Sequence, residues 1–199
     1  MSARHLTARL VRLYAGLVAF GVSLALMLRA DLGLGPWDVL HQGLAERLGV
    51  PIGWVVIGVG VVVMLAWIPL RERPGLGTVS NAILIGLVVD AALAVLPSPQ
   101  PVTLRIAFLV VGIVGTAIGT GLYVGAGFGP GPRDGLMTGL ARRGLSVRLV
   151  RTSIEVTVLI LGFFLGGSVG IGTIAFALGI GPLVHLTLPR LAFTSGGTA

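Results

Sequence analysis

Six stretches of this chain, roughly 10–28, 52–70, 78–96, 104–124, 150–166 and 171–188, are apolar enough to cross a bilayer as helices. A bilayer core takes about 20 such residues in helical form, and lipid leaves no partner for an unpaired backbone amide. The expectation is an all-α polytopic membrane protein, with one transmembrane domain over 1–199 and the lipid bilayer as its main partner. Composition agrees: 55% of residues are hydrophobic, 11% are charged and mean hydropathy is +1.02. The net charge of +7 would suggest nucleic acid in a soluble protein, but here the arginines sit at the ends of apolar runs, where topology uses them, so nucleic-acid binding is not expected. Cysteine is absent, which rules out disulfides and thiolate chemistry. Arg4, Arg9 and Arg12 ahead of the first run imitate a signal peptide, but no small-residue cleavage site follows, and a retained signal anchor is expected.

The chain contains one block twice. Gly33 to Arg47 superposes on Gly129 to Arg143 at a shift of 96, matching Gly35 with Gly131, Pro36 with Pro132 and Asp38 with Asp134. A second match, Gly75-Leu-Gly-Thr78 on Gly170-Ile-Gly-Thr173, follows at a shift of 95. This is the mark of internal duplication, with repeats of about 10–96 and 104–190 separated by Pro97-Ser-Pro-Gln-Pro101. Each repeat reads span, motif, span, turn, span. Segment 36–48 is about 20 Å long as a helix, too short to cross. It is therefore a half-helix, either re-entrant or interfacial. Three spans per repeat force the second repeat to be inverted. With the N-terminus cytoplasmic, Arg4, Arg9, Arg12, Arg71, Arg73, Arg133, Arg142, Arg143, Arg148, Arg151 and Arg190 fall inside, and Arg29, Arg47 and Arg105 outside. Glycines four apart, such as Gly115 with Gly119, fit close helix packing and leave a homo-oligomer open.

The two Gly-Pro blocks, the Arg73-Pro-Gly-Leu-Gly-Thr78 turn and Arg151-Thr-Ser-Ile-Glu-Val-Thr157 resemble the YczE/YyaS/YitT-type bacterial integral membrane proteins, in particular the YczE-like branch. The resemblance spans about 10–190. It implies a bacterial cytoplasmic-membrane protein and says little about activity.

Asp38 and Asp134 each follow a Gly-Pro, placing an acid in the first turn of a helix with proline at its first position. They are either capping acids or the carboxylates of a site where two broken-helix N-termini meet. Arg151 and Glu155, one turn apart, either satisfy each other or face a substrate. Asp90 and its repeat mate His185 are candidates for proton coupling or for interfacial snorkelling. The loop Gly125 to Gly131 lacks the strand and the Gly-Lys-Ser/Thr of a phosphate loop. No metal-ligand spacing and no catalytic triad is visible, so neither an enzyme nor a cofactor is expected. Duplicated Gly/Pro-broken elements point to a small-solute transporter with Gly35, Pro36, Asp38, Gly131, Pro132, Asp134, Arg151 and Glu155 at its site. The alternative is a membrane accessory or regulatory protein that transports nothing.

Overall fold

The computed structural model describes residues 3–193. Among them it is all helical: α1 (Ala3–Ala30), α2 (Pro36–Leu48), α3 (Ile52–Leu65), α4 (Trp67–Leu70), α5 (Leu76–Val95), α6 (Val102–Gly125), α7 (Pro132–Ala141), α8 (Val147–Phe164) and α9 (Ile171–Leu191). Five segments are long and apolar enough to cross a membrane: α1, α3 with α4, α5, α6 and α9. α8 is 18 residues long but carries Arg148, Arg151 and Glu155, and it falls outside that set. The break at Ala66, inside one expected span, follows from Pro69, which has no N–H to donate and whose ring crowds the carbonyl four residues back.

α1 and α6 form the centre, packed antiparallel. Arg9 at the start of α1 donates from Nε to the Ala126 carbonyl beyond the end of α6 at 2.8 Å. Arg105 at the start of α6 donates from Nε to the Ala30 carbonyl at the end of α1 at 2.7 Å. These residues are equivalent under the 96-residue shift. Between them the helices touch through glycine: a Cβ on Gly16 would lie 2.6 Å from the Tyr123 nitrogen, and one on Gly119 would lie 2.8 Å from the Gly16 carbonyl oxygen. In lipid, where burial of apolar surface gives little incentive for association, such backbone contact supplies the dispersion attraction that holds helices together.

The same equivalence runs through the backbone. The left-handed residues fall into matched pairs: Asp31 with Gly127, Gly33 with Gly129, Gly49 with Gly144, and Arg71 with Gly166. Gly33 and Gly129, at φ 103° and 111°, turn the chain out of α1 and α6 into the short helices. Each turn is then pinned by the other half of the chain, since Gly77 N–H donates to the Phe128 carbonyl at 2.8 Å and Gly172 N–H to the Leu32 carbonyl at 2.7 Å. Gly35 and Gly131 share an extended conformation, and Pro36 and Pro132 open α2 and α7 as expected.

One pairing breaks the equivalence. α3 lies along α5, with a Cβ on Gly86 overlapping the Gly53 carbonyl, and Gly53 N–H donates to Asp90 Oδ1 at 2.8 Å. The corresponding helices α8 and α9 scarcely touch, and Gly181, the mate of Gly86, has nothing within 4 Å.

Candidate functional site

α2 and α7 enter from opposite ends of the α1–α6 pair, about 30 Å apart at 1.5 Å per residue, and their N-terminal turns meet beside the middle of it. There they border a cavity of about 580 Å³, lined by Phe20 of α1, Thr116, Thr120 and Tyr123 of α6, and residues from every other helix except the short α4. Gly35, Pro36, Asp38, Gly131, Pro132, Asp134, Arg151, Glu155 and His185 all line it. Asp90 does not: its carboxylate is spent on the Gly53 amide, so the structure does not bring Asp90 and His185 together.

The centre of the site is Arg133. Its Nη2 lies 3.4 Å from Asp38 Oδ1 and 3.3 Å from His41 Nδ1, and its guanidinium sits 5.1 Å over the Trp37 ring. Trp37 and Arg133 are 96 residues apart and match in the sequence superposition, so corresponding positions of the two short helices stack on each other. The charge count along the sequence grouped Arg133 with the cytoplasmic arginines and gave no sign that its side chain lines the cavity. Its side chain is 27% exposed, and it reaches inward because a buried carboxylate and an aromatic face satisfy it there.

Asp38 is buried, and His41 on the next turn lies 3.4 Å from it. Burial would raise the Asp38 carboxyl, but the Arg133 guanidinium and the His41 hydrogen bond outweigh it and hold it below its ordinary 3.8. Burial, reinforced by Arg133, holds the His41 imidazole below 6.5 against the opposing pull of Asp38, which keeps the ring neutral at physiological pH.

Asp134 differs. Its surface is accessible from the cavity, and Tyr123 donates its hydroxyl to Oδ2 at 3.1 Å. The cavity is walled by protein, and that desolvation pushes the carboxyl above 3.8 despite the Tyr123 hydrogen bond and the nearby Arg133 and Arg151. Arg151 and Glu155 pair at 2.9 Å on the α8 wall.

The half-helices are braced from behind. Trp67 packs its ring against Gly135 and donates Nε1 to the Pro132 carbonyl at 3.0 Å. Gln42 exchanges two hydrogen bonds with Ser168, at 3.1 and 2.9 Å. Trp67→Phe is expected to cost about 1–3 kcal/mol in thermal melting, because it removes both that buried hydrogen bond and the ring atoms packed against Gly135.

Sequence reasoning did not single out His41, Tyr123 or Arg133 for the site. The available signal was that residues 37 and 133 occupy the same position of a duplicated motif, one aromatic and one cationic.

A helical membrane protein with two short helices meeting at a largely apolar cavity that holds a few charged side chains is the class that fold and site define. The chain belongs to the family of unknown function DUF6198, whose model matches residues 7–189. It is similar to an uncharacterized protein of Haemophilus influenzae, 42% identical over 173 residues that cover 86% of this chain and 79% of the relative. It is 36% identical to the uncharacterized membrane protein YczE of Bacillus subtilis over 181 residues, 89% of this chain and 84% of the relative. A third relative, YyaS of the same organism, is 28% identical over 87% of this chain and 89% of its own length. No solved structure matches the chain.

Proposed function

We propose that this protein transports a small solute across the bacterial cytoplasmic membrane by alternating access, with its N-terminus cytoplasmic, six spans including α8, and two inverted repeats whose re-entrant half-helices form the site. The observation that carries this reading is the Asp38–Arg133 contact: helices entering from opposite ends of the bundle touch beside a cavity that both repeats line. Broken helices that present their N-termini to a mid-depth cavity are a recurrent way to bind a solute within a bilayer. The reciprocal Arg9 and Arg105 hydrogen bonds support the inversion, because equivalent helices run antiparallel.

The unmatched α8–α9 pairing supports a gate. The α3–α5 contact seals one end of the cavity, while its counterpart at the end carrying Arg148 and Arg190 is unclosed, which is the arrangement of a state open to the cytoplasm. In the alternate state the start of α8 docks on α9 near Gly181 and His185. Arg148 there takes the place of Gly53, so this second seal is bulkier and more polar than the first.

The test uses the absence of cysteine. Single cysteines at positions 38 and 134 are labelled with an impermeant thiol reagent in intact cells and in inverted vesicles. Labelling of both positions from both sides is expected. Labelling of each from one side only, or of neither, overturns transport and leaves the accessory role.

A further inference from the structure

The cavity is not electrically balanced. The groups facing Asp134 are Tyr123 from α6, Arg133 beside it on α7, Asp38 and His41 from α2, Asn81 from α5, Arg151 and Glu155 from α8, and His185 from α9. Arg133 is paired with Asp38 and Arg151 with Glu155, at 3.4 and 2.9 Å. Histidines aside, the carboxylates of Asp38, Asp134 and Glu155 outnumber the two guanidiniums of the cavity by one. The uncompensated carboxylate is Asp134, which accepts a hydroxyl, has no cationic side chain in salt-bridge contact among the described residues, and is open to the cavity. The wall beside it is aromatic: Phe20 meets Tyr123 edge to face at 6.4 Å, and Phe176 lines the same cavity. A lone carboxylate among aromatic faces recognises a weakly hydrated cation, because the ring quadrupole attracts the charge and the apolar faces cover its substituents.

We propose, on the basis of the transport reading above, that Asp134 is the ion-binding residue of the cavity and that its ligand is a monovalent organic ammonium exchanged for one proton. The exchange balances: the carboxylic acid gives up its proton to solvent, and the carboxylate formed takes the ammonium ion, so the cavity carries the same charge in both loaded states. Tyr123 is a positioning residue whose hydroxyl favours the carboxylate form and keeps its oxygen turned toward the cavity.

The experiment is equilibrium binding of benzyltrimethylammonium to the purified full chain in detergent, followed by calorimetry from pH 4 to 8, with benzoate as the anionic counterpart. Saturable ammonium binding is expected, weakening tenfold per pH unit below the Asp134 pKa as one proton competes with one cation. Asp134→Asn is expected to weaken binding at least tenfold and to abolish that pH dependence. Tyr123→Phe is expected to retain binding but shift its pH dependence upward, which a general loss of folding would not do. Gly58→Ala, at a glycine with nothing within 4 Å, is expected to bind as wild type. Binding that is equal in Asp134→Asn, or independent of pH, overturns the assignment. Benzoate bound in place of the ammonium overturns the class of ligand while two-sided cysteine access still supports transport. Failure of both ions to bind, together with one-sided access, overturns both readings.

Discussion

Arg133→Leu is expected to destabilise the folded protein by about 3–5 kcal/mol, the cost of breaking a buried ion pair by removing one partner. Asp38 is 3% exposed, and without the guanidinium its charge faces only a neutral His41. Adding Asp38→Asn to Arg133→Leu removes the orphaned charge, and the double variant is expected to recover most of the loss, because a neutral amide beside a neutral imidazole needs no counter-ion. Thermal melting of the purified variants in detergent reads both: the single variant melts roughly 6–20 °C below wild type, and the double variant returns most of the way. A single variant that melts within about 2 °C of wild type would show that the pair contributes nothing. The pH dependence has a definite sign. The folded Asp38 carboxyl lies below 3.8, so its stabilisation is complete above the unfolded value and is lost as pH falls through the lower, folded one. Wild type therefore loses this contribution only in acid below pH 3.8, and the double variant, which lacks the carboxyl, shows no such loss.

The same substitution made at two equivalent glycines is expected to give opposite results. A Cβ on Gly86 overlaps the Gly53 carbonyl, a backbone atom that cannot swing aside, so Gly86→Ala is expected to lose about 1–3 kcal/mol through overpacking. Gly181 faces open space, so Gly181→Ala is expected to melt within about 0.5 kcal/mol of wild type. If α8 closes on α9 during the cycle, the new methyl meets the α8 backbone only in the closed state. Gly181→Ala should then leave stability intact while slowing solute flux in proteoliposomes, and it should raise the cytoplasmic labelling of a cysteine introduced at position 134. Full flux in a normally stable Gly181→Ala variant would remove the gate from the mechanism.

Local features of the fold were legible because local physics fixes them. Proline at the first helical position marked the start of α2 and α7, the apolar runs marked the long helices, and the ends of α2 came out at Pro36 and Leu48 as expected. Both motif aspartates lie on one cavity. What depends on residues distant in sequence was hidden. Nothing in the vicinity of Arg133 announces that its partners are 95 and 92 residues away, and a count of arginines between apolar runs treats it like Arg142 or Arg143. Asp90 read as either a proton-coupling or a snorkelling carboxylate, but it is satisfied by one amide at the start of α3, a contact made possible by the missing side chain of Gly53. α8 illustrates the limit of counting charges: Arg148, Arg151 and Glu155 set it apart from the five apolar segments, although Arg151 and Glu155 are paired with each other beside the cavity.

If the two halves arose by duplication of a shorter chain, the stacking of Trp37 on Arg133 bears on how they diverged. In an antiparallel pair of identical half-length chains, a side chain close to the twofold axis meets its own copy, so that position is restricted to residues that tolerate themselves: two arginines repel, and two indoles offer no charge. Joining the halves into one polypeptide lifts that restriction. One copy is then free to become the aromatic floor and the other the cation above it, and the polarity of the cavity, with a compensated carboxylate on one half and an uncompensated one on the other, depends on the two halves no longer being interchangeable.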